Sequence, residues 1–351
     1  MEQKEEIVII GGGLSGLTLA YLLSKRNIRT TVLEAAPRLG GRIHTIEGAL
    51  ETPLELGATW LSDMHTNLIN LLEELGLNKY LQYSKGISLF QTKSFEPPQK
   101  FDVPESESPS YRIAGGTQEL INALAQKLPA NSIHLKNKVT SIAEDKDGLI
   151  IETTAGHKYF STMAVLCMPP QLIENQISFL PELPVSLTNI LSKVHTWMAG
   201  ALKFTLEYDR PFWKDNGYSG MLFSHSGIIT EMYDHTNFEE SKFGFTGFLN
   251  GSAASYLPYV RKENVVLQLT NLLGSQASNP VSYFDKIWTD EFILGGSQII
   301  QRPHQFNGHP LLLENYLKGK LLFCATETAT EFAGYMEGAV VAARRAAAQI
   351  L

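Results

Sequence analysis

The chain has 351 residues, 44% of them hydrophobic, so it has enough apolar material to form two compact lobes with their own cores. Its 29 lysines and arginines against 36 aspartates and glutamates leave a net charge of -7, which argues against a nucleic-acid-binding protein that relies on a general positive field. The two cysteines, Cys167 and Cys324, are too few for a disulfide framework or a thiolate metal cluster. We therefore expect buried, reduced thiols, no bound metal and a small-molecule ligand.

The amino terminus does not resemble a secretory signal, because Glu5 and Glu6 precede a short apolar run and glycines follow it directly. No stretch approaches the roughly 20 apolar residues that a membrane-spanning helix needs. The chain ends at Leu351, directly after a helical pattern. These features predict a cytoplasmic protein without a membrane anchor.

The first predicted elements form a βαβ unit. An apolar run at 7–10 indicates a buried parallel strand, the glycine-rich segment 11–16 follows it, and a helical pattern begins at Leu17. A second β-rich run at 30–33 ends in Glu34, about 20 residues beyond the first glycine, where a carboxylate can bind the hydroxyls of an adenosine ribose. Its negative charge disfavours the extra phosphate of NADP, so the unit predicts a site for FAD or NAD.

Each residue type in the glycine-rich segment has a physical role in binding a dinucleotide. Gly11 permits the tight turn, Gly13 lets the backbone approach a pyrophosphate, and Gly16 lets the helix pack close to the strand. The helix start, at Leu14 and Ser15, offers free N–H groups to the phosphates. The segment is therefore expected to bind the cofactor mainly through its backbone.

The segment after the ribose acid, Leu39-Gly40-Gly41-Arg42, resembles the flavin amine oxidases rather than the nicotinamide dehydrogenases. A glycine pair lets the backbone pass close to a cofactor, and an arginine offers a charge-assisted donor to a pyrophosphate. The resemblance implies FAD as the cofactor, with Gly41 and Arg42 among its contacts.

Further segments resemble the same family in content and in order. Residues 56–60 resemble the segment beside the flavin ring, 111–116 resemble the return of the chain to the FAD domain, and 164–170 resemble its exit strand. Val139 takes the position of a backbone contact to adenine. In the segment beside the flavin, the resemblance implies cofactor contacts from Gly57, Ala58 and Thr59.

The carboxyl-terminal part resembles the monoamine oxidase branch. Residues 323–330 resemble the segment along the ribityl and phosphate portion of FAD, and 334–339 resemble the start of a helix whose amino end faces the flavin, where it would stabilise the anionic reduced form. The resemblance implies cofactor contacts from Thr326, Glu327, Tyr335 and Met336. Because a carboxylate and a pyrophosphate repel each other, we expect Glu327 to accept bonds from backbone amides or from Arg42.

The implied fold class is α/β, with a Rossmann-like FAD/NAD(P)-binding domain of the GR2 type and a second α+β substrate domain inserted into it. We expect the FAD-binding domain to comprise residues 1–78, 109–172 and 284–351, and the substrate-binding domain to comprise 79–108 and 173–283. The stretch 79–108 is much shorter than the helical insertion common in the family. We therefore expect a more open site.

An alternating strand at 201–208 presents Lys203, Thr205 and Glu207 on one face, which we expect to line the cavity. Lys203 matches the family lysine that holds a water at the flavin N5. Desolvation would lower its pKa and help it to exchange a proton with water during oxygen reduction. Lys203 is therefore predicted to act in catalysis.

Tyr335 matches one of the two aromatic rings between which monoamine oxidases hold the substrate nitrogen. Gln298 occupies the position of the other ring and has no π face, which favours a substrate other than a simple arylalkylamine. Ser297 occupies the position of the cysteine that tethers the flavin in monoamine oxidases, so we expect non-covalent FAD. Trp288 matches a family tryptophan near the flavin ring. We expect His304 and His309 to be ordinary loop residues unless the fold places them in the pocket.

The sequence therefore predicts an FAD-dependent amine oxidase. It would transfer a hydride from a primary or secondary amine to flavin N5, release an imine and pass electrons to dioxygen to give hydrogen peroxide. One alternative is a flavin-dependent desaturase or porphyrinogen-type oxidase, which uses a similar scaffold for carbon–carbon dehydrogenation. Another is a flavin-binding protein without amine turnover, which the missing second ring and the short 79–108 stretch favour.

Overall fold

The computed structural model describes residues 5–104, 109–289 and 302–351, and within these ranges the chain forms twenty β-strands and eight α-helices. The strands are β1 (Glu5–Ile10), β2 (Thr30–Leu33), β3 (Thr45–Glu47), β4 (Pro53–Glu55), β5 (Leu61–Ser62), β6 (Lys79–Leu81), β7 (Ile87–Gln91), β8 (Gln99–Asp102), β9 (Ser110–Ile113), β10 (Ile133–His134), β11 (Val139–Asp145), β12 (Gly148–Thr153), β13 (Lys158–Leu166), β14 (Ser178–Leu180), β15 (Leu202–Tyr208), β16 (Tyr218–Ser224), β17 (Ile229–Asp234), β18 (Phe243–Leu249), β19 (Ser282–Ile287) and β20 (Leu321–Phe323). The helices are α1 (Leu14–Ser24), α2 (Thr66–Glu74), α3 (Gln118–Gln126), α4 (Pro170–Gln176), α5 (Val185–Leu191), α6 (Phe212–Asp215), α7 (Pro258–Leu273) and α8 (Met336–Ile350).

The first sheet has eight strands in the order β10-β2-β1-β13-β12-β11-β14, with β20 also paired to β13. Strand β1 lies parallel to β2 and to β13, and β13 lies parallel to β20. Helix α1 connects β1 to β2, which confirms the predicted βαβ unit. The parallel strands end at one edge of the sheet, where a ligand cavity is expected.

The two faces of the first sheet are both covered. Ile7 and Ile9 of β1 pack into a core with helices α1, α3 and α8, whereas Val8 and Ile10 pack into a second core with α4 and α5. Because alternate side chains point to opposite faces, a strand covered on both sides must be apolar throughout. This explains why the sequence of β1 is a continuous apolar run.

The second sheet has seven strands in the order β19-β15-β18-β17-β16-β7-β8. Its pairs are antiparallel except for β16 and β7. One face is buried against α7. The core between them contains Phe204, Met232 and Leu249 of the sheet and Val265 and Leu269 of the helix. The opposite face carries Lys203.

Strand pairing bears on the expected division of the chain at two points. Strand β14, which lies within 173–283, pairs with β11 in the first sheet. Strand β19 pairs with β15 in the second sheet over its whole length, so a boundary at 284 falls inside a strand. The division into two domains remains a proposal, with its boundaries moved to strand ends at these points.

Two further properties of the described residues concern the α-helices. Between 79 and 108 they form strands β6, β7 and β8 and no α-helix. Across the described ranges, no helix combines the length and apolar character that crossing a membrane requires.

Candidate active site

A cavity with a volume of about 300 Å³ lies at the carboxyl ends of the parallel strands of the first sheet. Ile10 and Leu33, at the ends of β1 and β2, and Cys167, directly after β13, form part of its wall. Open α/β sheets bind their ligands at this edge. The predicted cofactor-binding residues that line the cavity are Gly11, Gly13, Leu14, Ser15, Glu34, Gly41, Arg42, Ala58, Val139, Trp288, Thr326, Tyr335 and Met336.

In the glycine turn, the backbone packs so closely at Gly11 and Gly16 that no side chain fits there, whereas Gly13 has open space beside it. Gly11 has a φ of 114°, and a Cβ there would lie 2.6 Å from the carbonyl oxygen of Cys167. Gly16 lies behind the cavity wall, where a Cβ would come within 2.0 Å of the Gly11 carbonyl oxygen. A Cβ at Gly13 would meet only the Gly40 carbonyl oxygen, at 3.9 Å, and Gly13 lines the cavity. The backbone at Gly13 is therefore open to a ligand.

The carboxylate of Glu34 is held in one orientation by the backbone. Its two oxygens accept hydrogen bonds from the Gly12 N–H at 2.6 Å and from the Ala36 N–H at 2.7 Å. Burial raises the pKa of Glu34, and these backbone donors oppose that effect. A carboxylate oxygen has a second lone pair, so Glu34 can still accept bonds from hydroxyl groups in the cavity.

Arg42 lines the cavity and is held from behind by Glu327. Its Nη1 lies 2.7 Å from Oε1 of Glu327, and the Glu327 side chain is fully buried. Arg42 is one of the two partners expected for Glu327, but the contact is an ion pair whose geometry does not make a hydrogen bond, and Glu327 does not itself line the cavity. Glu327 lies on the protein side of the guanidinium, and Arg42 presents a positive charge to the cavity.

Lys203 lies directly behind the segment 57–59, of which Ala58 lines the cavity. Its Nζ donates a hydrogen bond to the Gly57 carbonyl oxygen at 2.7 Å and contacts the Thr59 hydroxyl. Its side chain is among the largest fully buried ones in the protein. Burial lowers the pKa of Lys203 to about 7, partly opposed by the charge of Glu55.

The other two polar residues on that face of β15, like Lys203, are not among the residues that line the cavity, and they lie farther from it behind other parts of the chain. Thr205 donates a hydrogen bond to a backbone carbonyl of β18. Glu207 accepts bonds from the backbone N–H groups of Leu50 and Thr52 at 3.0 and 3.2 Å and from the Ser282 hydroxyl at 2.7 Å. The loop between β3 and β4 covers this part of the strand, which removes it from the cavity.

Two further predicted contacts of the cavity wall, Val139 and Trp288, come from different sheets. Val139 is the first residue of β11, and its side chain is 5% exposed. Trp288 follows β19, and its Nε1 donates a hydrogen bond to the Leu56 carbonyl oxygen at 2.7 Å. Lys286, which the sequence reasoning missed, also lines the cavity, with its Nζ 4.6 Å from the Trp288 ring centroid. The second sheet therefore contributes a cation to this wall.

Tyr335 belongs to a stack of three rings. Its ring centroid lies 5.9 Å from that of His304, at an interplanar angle of 19°, and 5.9 Å from that of Trp197. The rings of Trp197 and His304 stack on each other at 4.5 Å. His304 and His309 do not line the cavity, but His304 packs against Tyr335, which does. Neither Trp197 nor His304 lies in a pattern that identifies it, since the loops that carry them meet only in the folded chain.

The loop before α8 is fixed by one hydroxyl group. The Thr326 hydroxyl donates a hydrogen bond to the Tyr335 carbonyl oxygen at 2.8 Å and accepts one from the Gly334 N–H at 2.9 Å. Met336 is the first residue of α8 and lines the cavity, so the positive end of the helix dipole faces it. Gln298 and Ser297 lie outside the described residues.

A family model described as "Flavin containing amine oxidoreductase" matches residues 14–92 and 90–351 of the chain. The chain belongs to this family. It is an FAD-dependent oxidoreductase that acts on amines, and the cavity described above lies where its cofactor is expected. The resemblance found in the separate motifs is thereby confirmed over nearly the whole length.

Individual relatives agree with this family. Flavin-containing amine oxidase A of Sus scrofa is 25% identical over 455 positions, which cover 99% of this chain and 85% of the pig protein. The probable flavin-containing monoamine oxidase A of Dictyostelium discoideum is 24% identical, with 100% and 98% covered. Since the chain has 351 residues, these relatives contain insertions that it lacks.

Solved structures confirm the fold. Putrescine oxidase bound to putrescine superposes with a TM-score of 0.85 at 21% identity, covering 99% of each chain. Cyclohexylamine oxidase from Brevibacterium oxydans gives a TM-score of 0.84 at 21% identity, again with 99% of each chain covered. The α/β fold with two large sheets is therefore that of the FAD amine oxidases.

Proposed function

We propose that this protein oxidises a primary or secondary amine at its α-carbon and uses dioxygen as the final electron acceptor. When bound, FAD supplies the hydride acceptor, and its reoxidation by dioxygen gives hydrogen peroxide. The amine loses a hydride and a proton to become an imine, which water hydrolyses to a carbonyl compound. The protein's own residues bind the partners, orient them and move protons.

The cavity wall offers a dinucleotide open backbone and a positive charge. Gly13 and Gly41 have open space beside their backbones, since a Cβ at Gly41 would meet only the Gly13 Cα at 3.6 Å. We assign the pyrophosphate to these glycines, to the start of α1 and to Arg42, because backbone N–H groups and a guanidinium both bind phosphate oxygens. We assign the adenosine ribose to Glu34.

The observation that carries the proposal is the buried Lys203. A lysine whose pKa is near 7 can release and take up a proton at neutral pH, whereas an ordinary lysine cannot. Its contacts with Gly57 and Thr59 place it against the wall that Ala58 forms. We assign to Lys203 the exchange of a proton with a water molecule in the reaction space.

Tyr335 is proposed to position the substrate nitrogen. Its side chain is 41% exposed and lines the cavity, so an aromatic face is accessible to an amine. The stack with His304 and Trp197 holds the ring in place. Gln298 stays a predicted contributor to the same end of the site.

We expect FAD to be bound without a covalent bond. Cys167 lines the cavity, but burial raises its pKa well above the usual range, so it is a poor nucleophile. Denaturation with acid should release all of the flavin into the supernatant, and flavin that stays with the precipitate would contradict this expectation. A cytoplasmic location also stays a prediction.

A peroxide assay across a panel of primary and secondary amines tests the proposed function. We expect peroxide release with at least one amine and a loss of about 100-fold in Lys203→Met, within the usual range for a lost proton-transfer group. Lys158→Met is the matched control, because Lys158 is an exposed lysine paired with Glu152 on β12. Turnover only of a polyene or a porphyrinogen would favour the carbon–carbon dehydrogenation alternative and contradict the proposal.

A further inference from the structure

Two loops within the described ranges, 193–197 and 302–307, meet beside Tyr335, and none of their residues lines the cavity. The His195 N–H donates a hydrogen bond to a carbonyl oxygen of the second loop at 2.9 Å, and the His304 N–H donates one to Nδ1 of His195 at 3.0 Å. Burial, and after it the charge of His304, lower the pKa of His195, which leaves Nδ1 without a proton at neutral pH. His195 is therefore the acceptor that holds the backbone of His304.

His304 has a left-handed backbone conformation, with a φ of 56°. A side chain makes this conformation unfavourable, so it persists where neighbouring contacts hold it. The hydrogen bond to His195 does so, together with the stack on the Trp197 ring, at 4.5 Å between centroids and 22° between planes. Strained residues of this kind cluster at functional sites, which directs attention to what the His304 ring contacts.

The ring of His304 lies nearly parallel to that of Tyr335, at an interplanar angle of 19°. Among the described rings near Tyr335, those of Trp197 and His65 are tilted against it by 33° and 44°. The backbone before Tyr335 also packs on the two loops, since a Cβ built at Gly334 would lie 2.5 Å from the Cβ of Trp197 and 3.5 Å from Cε1 of His304. Both the ring and the backbone of this part of the cavity wall therefore lean on His304 and Trp197.

We propose that His195 and His304 form a positioning unit for Tyr335, in which His195 fixes the backbone of His304 and the imidazole of His304 fixes the tyrosine ring for the amine. This inference rests on the proposed function, which assigns Tyr335 to the substrate nitrogen. Ordering a side chain on binding lowers affinity, so a ring that is already held in place binds an amine more tightly than a mobile one. Neither histidine contacts the amine, and both act through Tyr335.

Steady-state kinetics of the FAD-bound protein test the unit, with the straight-chain primary amines from propylamine to octylamine and benzylamine as probes. His304→Gly removes the ring and suits the left-handed backbone. For the amines that wild type oxidises, we expect KM to rise about 3- to 10-fold, the cost of ordering one side chain on binding. We expect kcat to change by less than about twofold, because the amine-bound ring is ordered in both proteins.

A matched control separates the loss of the ring from the change of backbone. Glu240 has a φ of 54° and lies in an exposed loop after β17, so Glu240→Gly makes the same kind of backbone change at a distant position. We expect it to leave KM unchanged. A wild-type KM in His304→Gly as well would overturn the assignment.

Two substitutions of His195 separate its hydrogen bond from its bulk. His195→Asn keeps an acceptor near the position of Nδ1, so KM should stay within about twofold of wild type. His195→Leu fills similar space but leaves the His304 N–H without its acceptor, so KM should rise as far as in His304→Gly. The same KM in both variants would show that this hydrogen bond does not position Tyr335, and would overturn the role of His195.

A double-mutant cycle tests whether His304 acts through Tyr335. Tyr335→Ala removes the ring that His304 holds, so adding His304→Gly to it should raise KM no further. Additive increases in KM would mean that His304 acts by another route, and would overturn the assignment while leaving the proposed function intact. Failure of wild type to oxidise any amine would instead overturn the proposed function, and this inference with it.

Discussion

The nucleotide end of the cavity and the Lys203 end are built from different kinds of groups. At the nucleotide end, backbone atoms form most of the surface, because Gly11, Gly13 and Gly41 expose the chain itself to the ligand. Around Lys203 and Tyr335, side chains from separate loops and strands form the surface. A backbone surface can bind the same cofactor in many proteins, whereas a surface of side chains can change its specificity one residue at a time.

The largest expected effect comes from filling the space beside Gly13. Gly13 lines the cavity, and the Cβ of Gly13→Leu meets no atom of the protein closer than 3.9 Å, so the fold should persist. We expect FAD affinity to fall by at least about 100-fold, because the side chain takes the place of phosphate groups. Titration of the apoprotein with FAD, followed by flavin fluorescence, measures this.

A matched variant controls for the added leucine. Gly251 has no neighbouring atom within 4 Å of a built Cβ and lies outside the cavity. Gly251→Leu should bind FAD as wild type does. If Gly13→Leu binds FAD equally well, the pyrophosphate does not lie against this turn and the account of the nucleotide end is wrong.

At the other end, Lys203 should make stability depend on pH. Its pKa is about 7 when folded and close to 10.5 when unfolded, so between these values the unfolded chain binds more protons and stability rises with pH. Below pH 7 Lys203 is charged in the folded protein as well, so the full cost of burying its ammonium group lowers the free energy of unfolding. We expect the unfolding free energy of wild type, relative to Lys203→Met, to rise by about 2 kcal/mol between pH 7 and pH 9. Urea denaturation of both proteins measures this, and a constant difference between them would show that Lys203 is not desolvated.

The same titration should appear in catalysis. If neutral Lys203 accepts a proton during turnover, kcat at saturating substrate rises by about tenfold between pH 6 and pH 8. Lys203→Met should lack this rise. Identical pH profiles in both proteins would assign the proton transfer to another group.

The smallest effect is expected at Glu207, four residues along the same strand. Glu207 holds the loop between β3 and β4 through two backbone N–H groups and the Ser282 hydroxyl. Glu207→Gln weakens these bonds and should lower the unfolding free energy by about 1 kcal/mol, measured by urea denaturation. We expect kcat to change by less than about twofold. A large loss of kcat with normal stability would mean that the reaction space extends to Glu207.

The sequence predicted the nucleotide end well because glycine spacing constrains the backbone directly. The turn at Gly11, the helix start at Leu14 and the acid at Glu34 follow from local chain geometry, and all three line the cavity. The ion pair of Arg42 with Glu327 was one of two expected alternatives. The sequence alone could not choose between them, because the two residues are separated by almost the whole chain.

The substrate end was predicted less completely, for a physical reason. Strand alternation placed Thr205 and Glu207 with Lys203, but alternation cannot show that a loop covers part of a strand. The stack of Tyr335 with His304 and Trp197 depends on loops that meet only after folding.

Anaerobic mixing of the FAD-bound protein with an amine tests the central claim most directly. We predict that at least one aliphatic amine bleaches the visible absorption band of the bound flavin, and that admitting air restores the band with release of peroxide. If no amine bleaches the flavin while a chemical reductant does, the protein binds FAD without oxidising amines, and the assignment of Lys203 and Tyr335 to amine oxidation is contradicted.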